Sequence, residues 1–429
     1  MYSLTTKLSH VLNNETLRNG AFFTVFSFIN KGINFFLLIL LAKYITPTEY
    51  GYWSLFGTIL MFLGYFMAMS TEGYISISFF KEGITGVKNT FSCILSTTLI
   101  VSSFLFCVTF LLKDRLQQAF DLPWQYICLA IGIAFFTVHS NVCLDFLRIK
   151  KKIVLYGLFS CSSAFVVLAL SIVFVKYFLM GWQGCALAQS LSIFLFGSIG
   201  LGFFLFSKKI AVPNKKHWIM MLCWGIPLIP HLATNFIRLG CDRYIIKHYY
   251  SIEDVGLFSF AFTLSMVIMT IGSGFNQANS INIYEVLSNS DVSPDEKMSI
   301  LRKTRRNILV INLCGLVTTI LLAALLIPYF FPDYTPSIKL LFILSIYAFL
   351  ECIYFLYTNF LFFYKKTQTL MHITFSFAAL HLLLSLCFSQ YSLIFTCLIY
   401  CTTQLGVVIF VYKKAIGTLK NNLYKPSDN

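Results

Sequence analysis

Charge is what this chain has least of. Only 11% of its 429 residues are charged, against about 25% in globular chains. A soluble protein of this length cannot hide a chain that is 58% hydrophobic, so a soluble fold is excluded. Apolar runs of about eighteen residues or more recur, each long enough to cross a hydrocarbon core as a helix. No stretch shows the short alternating segments of an outer-membrane barrel, so the spans are helical. Acids are scarcer than bases, 17 against 32. The 13 cysteines, such as Cys93, Cys107, Cys161 and Cys387, sit singly in apolar runs, with neither CxxC pairs nor Cys/His clusters. They read as small packing residues, and no metal site or cofactor is expected. No paired carboxylates or His/Asp arrangement on a large loop suggests catalysis, so the chain is not expected to be an enzyme.

The apolar runs and their polar punctuation divide the chain into twelve spans, near Gly20–Leu41, Gly51–Ser70, Thr90–Leu112, Trp124–Phe146, Ile153–Phe178 and Gly181–Phe206, then Ile219–Leu239, Val255–Gly274, Ile308–Phe331, Ile338–Phe363, Leu370–Phe388 and Ser392–Tyr412. Lys and Arg collect in cytoplasmic loops. With the N-terminus in the cytoplasm, 23 of the 32 fall on that side and 8 on the other, with Lys31 inside the first span. Both termini are therefore expected in the cytoplasm. The net charge of +15 then needs no nucleic-acid partner, because short basic loops such as "RIKKK" (Arg148–Lys152) meet anionic lipid head groups. One connection is long, Phe275 to Arg306, and reads as an exposed turn followed by a basic amphipathic segment.

Two short hinges resemble each other: "LAKYITPTEYGYWSL", Leu41–Leu55, and "IIKHYYSIEDVGLFSF", Ile245–Phe260. An offset of 205 residues pairs Gly20 with Gly225, Asn30 with Asn235, Tyr44 with Tyr249, Gly51 with Gly256 and Ser54 with Ser259, and sets Glu49 opposite Asp254. Each copy runs long span, polar hinge with an acid two residues before glycine, second span. Chance likeness between two membrane hairpins is the alternative. The expected fold is an all-α polytopic membrane protein of about twelve transmembrane helices. They form two six-helix bundles related by an internal repeat around a central cavity: residues 1–206, a basic linker 207–217, and 218–429. Parallel repeats of this kind put a substrate site between the halves near the midplane.

The first hinge, and "GIPLIPHLATNFIRLGCDRYIIKHYYSIEDVGLFSFAFTL" still more, resemble the hallmark segments of Wzx-type polysaccharide flippases of the multidrug/oligosaccharidyl-lipid/polysaccharide exporter superfamily. Thr46-Pro47 stands where that family usually has glycine. The resemblance implies a bacterial inner-membrane protein that moves an undecaprenyl-diphosphate-linked oligosaccharide, of O-antigen or a related polysaccharide, from the cytoplasmic to the periplasmic leaflet. Coupling to H+ or Na+ and contact with other polysaccharide assembly proteins would follow. An exporter of another substrate, or of another polyprenyl-linked precursor, is the alternative within transport; a membrane enzyme or scaffold of polysaccharide assembly is the alternative outside it.

Polar residues inside spans carry the mechanism. A centrally placed Lys or Arg costs about 2.5–3.5 kcal/mol on insertion scales, so such groups face protein or water. Thr24, Ser27, Lys31 and Asn34 share one face of the first span, and His231, Asn235, Arg238 and Asp242 one face of the seventh. Lys31, Arg238, Asn34 and Asn235 are the candidate substrate-binding groups of a cationic cavity that would attract a lipid diphosphate. Alternatively, Arg238 snorkels or pairs with Asp242. Asp242 and Arg243 are candidates for a structural ion pair. Glu351, among Tyr347, Tyr354 and Thr358 on the tenth span, is the first ion-coupling candidate. Asp145, on a face with Thr137 and Asn141, is the second, unless it pairs with Arg148. His139, His372 and His381 read as packing residues with one ring nitrogen satisfied.

Overall fold

The computed structural model describes residues 15–207 and 209–424, and among them there is no strand. Fifteen helices follow one another: α1 Glu15–Ala42, α2 Pro47–Met67, α3 Tyr74–Leu111, α4 Lys113–Phe120, α5 Trp124–Ile149, α6 Ile153–Ile172, α7 Gly181–Phe206, α8 Lys215–Gly225, α9 Ile229–Phe236, α10 Asp242–Tyr249, α11 Ile252–Ser288, α12 Pro294–Phe330, α13 Ser337–Phe363, α14 Thr367–Phe388 and α15 Leu393–Leu423. Among the described residues ten stretches are long and apolar enough to cross a membrane. The helices α1 and α2 occupy the two remaining predicted spans.

Two compact units make up the chain. One holds residues up to Ile45 and Leu55–Ala233, the other Thr46–Ser54 and Thr234 onward. They differ from the predicted lobes 1–206 and 218–429 by two segments. The reason for the second difference lies in α8, which packs by its polar and aromatic side chains within the first unit. His217 Nε2 lies 2.8 Å from Thr90 Oγ1, and Trp218 Nε1 donates to Thr97 Oγ1 at 2.8 Å. Trp224 rests on Tyr74 with ring centroids 5.6 Å apart. The helix α3, against which these side chains lie, is broken at Gly83, whose φ of +64° and ψ of −142° are open to glycine alone.

The repeated hinges are helix starts of one design. Glu49 N donates to Thr46 Oγ1 at 3.3 Å while Thr46 N donates to Glu49 Oε2 at 3.1 Å. Ser251 and Asp254 form the same reciprocal pair, at 3.2 and 3.1 Å. Both are capping boxes, which satisfy amide donors that a helix N-terminus leaves free. The acid two residues before glycine is thus the third residue of its helix. The glycine serves the next step. A Cβ on Gly51 would collide with the carbonyl oxygen of Ile252, and one on Gly256 with that of Pro47. These two contacts are equivalent under the repeat, since 47 and 252, like 51 and 256, are 205 residues apart. Ser54 Oγ donates to Ser259 Oγ at 2.7 Å, a bond between residues separated by 205. The internal repeat thus closes on itself inside the second unit. We expect Gly256→Ala to cost about 1–3 kcal/mol by overpacking, read as a lower Tm of the purified chain. Gly57→Ala, where a Cβ meets nothing within 4 Å, should leave Tm unchanged.

In Phe275–Arg306 the expected exposed turn falls at residues 289–293 and the basic segment after it is the start of α12 at Pro294; the stretch before the turn is not loop but helix, because α11 runs on to Ser288. Ser293 caps α12 by accepting from Glu296 N at 3.3 Å, with proline at its first position. The hairpin holds because Ile283, Leu287 and Leu301 bury themselves among Phe360, Leu361, Val411 and Ala415 of α13 and α15.

Candidate functional site

The seventh span is not one helix. Pro227 and Pro230 each remove an amide donor, and the chain passes from α8 through a 3-10 turn, Ile226–Leu228, into α9. A π turn, Ile237–Cys241, then separates α9 from α10. Insertions of this kind turn side chains away from the regular helical face and are frequent at functional sites. Arg238 sits in that turn.

Arg238 does not snorkel, nor does it pair with Asp242. Its Nη2 lies 2.5 Å from Glu351 Oε1 of α13 and also donates to Gln404 Oε1 of α15. Tyr347 donates its hydroxyl to the same Glu351 oxygen at 3.2 Å. Two residues nominated for different tasks, Arg238 for substrate and Glu351 for the coupling ion, are partners in one ion pair. The pair is not sealed, since 17% of the arginine side chain and 8% of the glutamate stay exposed. A mutually satisfied pair is affordable in a low-dielectric span, whereas breaking it strands a charge at about 3–5 kcal/mol. Gln404 belongs to this cluster and was not legible as a site residue, because nothing local marks it.

One helical turn on, Asp242 is 1% exposed. Its Oδ2 lies 2.7 Å from His381 Nε2. The expected Asp242–Arg243 pair is thus replaced by an Asp242–His381 pair, because adjacent helical residues point about 100° apart. His381 is correspondingly no simple packing residue, having both ring nitrogens engaged. Its Nδ1 lies 3.2 Å from Thr403 Oγ1, which gives its own proton to Ile399 O at 2.6 Å. Thr403 therefore accepts from Nδ1–H, and the contact between Nε2 and Oδ2 requires a further proton. The pair is either imidazolium with carboxylate or imidazole with carboxylic acid, neutral in sum both ways. Tyr400 links the two clusters, its ring centroid 4.6 Å from that of His381 and 4.9 Å from that of Tyr347.

Arg243 turns to the repeat crossing, where its Nε donates to Ser54 Oγ at 2.6 Å and to Ser259 Oγ at 3.2 Å. Asn235 is exposed on α9. The side chains of Lys31 and Asn34 lie outside the described residues. His139 keeps one nitrogen on Phe135 O at 2.8 Å, as expected of a packing residue, and His372 is exposed. Groups of three or more metal-ligating side chains do not occur among the described residues.

In the first unit Asp145 pairs with Arg148 at 2.7 Å, an i,i+3 contact that occupies the second ion-coupling candidate. Asn141 Nδ2, on the same face, lies 3.5 Å from Glu72 Oε2 in the turn between α2 and α3. Burial pushes the Glu72 carboxyl up to about 7, with Asp145 adding to it and Asn141 opposing. The folded chain therefore holds this proton more tightly than the unfolded one. Stability from Glu72 is full below about 4.5 and is lost as pH rises through about 7. Glu72→Gln should flatten that part of a Tm-versus-pH curve between about pH 5 and 8.

A family model described as "Polysaccharide biosynthesis protein" matches residues 16–281, well over half of the chain. The chain belongs to that family. Among its relatives, Lsg locus putative protein 1 of Haemophilus influenzae is 22% identical over 285 residues, 64% of this chain and 67% of that protein. An uncharacterized membrane protein of the same organism is 22% identical over 365 residues, 82% and 85% of the two chains. The fold is that of a multidrug resistance MATE family transporter of the MOP superfamily in its inward-facing conformation, with a TM-score of 0.72 at 15% identity over 93% of this chain and 96% of that one. It is equally that of the lipid II flippase MurJ, inward closed, with a TM-score of 0.71 at 15% identity over 94% and 89%. The solved structures that share this fold are thus a multidrug transporter and a lipid flippase.

Proposed function

We propose that the chain carries an undecaprenyl-diphosphate-linked oligosaccharide, an O-antigen unit or a relative of it, from the cytoplasmic to the periplasmic leaflet of a bacterial inner membrane. Transport proceeds by alternating access, with both termini cytoplasmic and an ion, H+ or Na+, coupled to the cycle. The observation that carries the reading is the partly exposed Arg238–Glu351–Gln404 cluster on the broken seventh span. Guanidinium is suited to phosphate through its planar fork. Glu351 holds one nitrogen of that fork, Nη2. Neutralising Glu351 with a proton frees the fork for a diphosphate, and loss of the proton returns it, so one exchange binds and then releases the substrate. Lys31, Asn34 and Asn235 are the further candidate substrate-binding groups of this reading. Other polysaccharide assembly proteins supply the lipid-linked unit and consume it.

The test is complementation of a flippase-deficient strain, with long-chain surface polysaccharide read on a gel and the lipid-linked unit assayed in each leaflet. Restored polysaccharide with the unit reaching the outer leaflet is expected; a multidrug exporter would restore neither. Reporter fusions after Lys152, Lys216 and Lys366 should read cytoplasmic, and those after Lys113 and Tyr249 periplasmic. A periplasmic signal at Lys216 would overturn the topology.

A further inference from the structure

The helical hairpin α11–α12 has a feature that the transport cycle above does not use. Three helices of the second unit wall a hollow of about 410 Å³, and its polar lining is Arg302, Arg305, Arg306, Lys420, Tyr357 and Tyr412. No carboxylate lines it. Each helix contributes one face. On α12 the arginines stand at i, i+3 and i+4, on α13 Ile353 and Tyr357 at i and i+4, and on α15 Tyr412, Ile416 and Lys420 at successive steps of four. Arg305 is held in place, its guanidinium 5.4 Å from the ring centroids of both Tyr357 and Phe360 and its Nε donating to Leu301 O at 3.2 Å. Tyr357 and Tyr412 meet edge to face at 5.0 Å and close one wall. Among the described residues no ion pair is formed by these four cations.

Like charges held around one concavity repel unless an anion fills it. Basic residues that only meet the membrane's surface potential need no concave arrangement, so the convergence calls for a discrete ligand. The volume suits a bound small molecule, and guanidinium with ammonium suits phosphate. The remaining lining, Met298, Leu309, Ile353, Leu356 and Ile416, is apolar, which selects an amphiphile over a free phosphate or a nucleotide. The positions of Arg302–Arg306 among the bases of the cytoplasmic side put the hollow at the inner leaflet; this placement rests on the topology proposed above.

We propose that the hollow between α12, α13 and α15 is a binding site for the phosphate head group of a membrane lipid, with the start of its chain on the apolar wall. Two lipids have this chemistry: an anionic phospholipid, and the polyprenyl diphosphate end of the transported substrate awaiting entry.

The test uses the full chain, purified in neutral detergent and titrated separately with phosphatidylglycerol and undecaprenyl diphosphate, with bound lipid counted by native mass spectrometry. Arg302→Gln/Arg305→Gln/Arg306→Gln is compared with Lys303→Gln/Lys413→Gln/Lys414→Gln, which removes the same number of charges from α12 and α15 outside the lining. The lining variant should bind about a hundredfold more weakly, at roughly fivefold per cation, and the control within about twofold of the parent. The probe that shows this difference identifies the source. Equal loss in both variants would reduce the effect to diffuse attraction, and no loss in the lining variant would remove the site; either overturns the proposal. If the triple variant does not fold, Arg306→Gln and Lys420→Gln singly should each lose about fivefold. Because the readout is binding, a chain that binds here yet fails to restore polysaccharide would separate this site from the transport proposal.

Discussion

Removing Arg238 and Glu351 together should give a stable protein that no longer exports. The singles behave differently. Arg238→Ala leaves the Glu351 carboxylate in the span with Tyr347 as its remaining donor, and Glu351→Ala leaves the guanidinium with Gln404. Each should cost about 3–5 kcal/mol and lower both Tm and membrane abundance. Replacing the pair by Met and Leu, of similar volume, removes both stranded charges and is expected to be neutral or stabilising. Abundance and Tm should therefore recover in Arg238→Met/Glu351→Leu. Surface polysaccharide should not, because the group that exchanges between carboxylate and diphosphate has gone. Measured at matched abundance in the flippase-deficient strain, full complementation by the double variant would make the pair a helix tie and nothing more. Glu351→Gln isolates the other half of the scheme. It keeps size and hydrogen bonding but fixes the neutral state, so substrate should bind while turnover falls.

The parts of this protein legible in its sequence are those decided locally. Apolar runs set the spans, and Thr46-x-x-Glu49 with Ser251-x-x-Asp254 set the helix starts of the repeat. The placement of Arg238 and Glu351 within apolar runs followed from the sequence. Their pairing did not, since a periodicity tells which face a residue occupies and not which face meets it. Gln404 and His381 were missed for that reason: each finds its partner more than a hundred residues away, Arg238 and Asp242 respectively. Other misses had a local signal that was passed over. Pro227 and Pro230 write the break of the seventh span into the chain, and two such prolines within one apolar run mark the discontinuous helices that transporters place at their sites. Phe275–Arg306 reads as loop when polarity alone is weighed. Its capping serine and first-turn acids mark the start of α12, and Ile283 and Leu287, four residues apart on α11, bury themselves with Leu301 of α12 in one cluster.

His381→Ala is expected to be the most damaging single change in the second cluster. Asp242 is 1% and His381 2% exposed, so neither can recruit water when the other is lost. Proton accounting at Thr403 makes the pair neutral in sum, and deletion of the imidazole leaves Asp242 either as an uncompensated carboxylate or as an acid facing an empty space. The loss has two parts, the stranded group at about 3–5 kcal/mol and the vacated ring volume beside Tyr400, which adds a cavity term. Asp242→Asn should be far milder. A carboxamide still meets Nε2, the imidazole relaxes to its neutral form, and no charge remains to be stranded. The measurement is the Tm of the purified chain beside its abundance in the membrane, with His381→Ala lowest, Asp242→Asn near the parent, and Asp242→Asn/His381→Ala recovering part of the loss because the acid is no longer there to strand. Equal Tm for parent and His381→Ala would mean that the histidine does not compensate Asp242, and the two-proton assignment for this pair would fall with it.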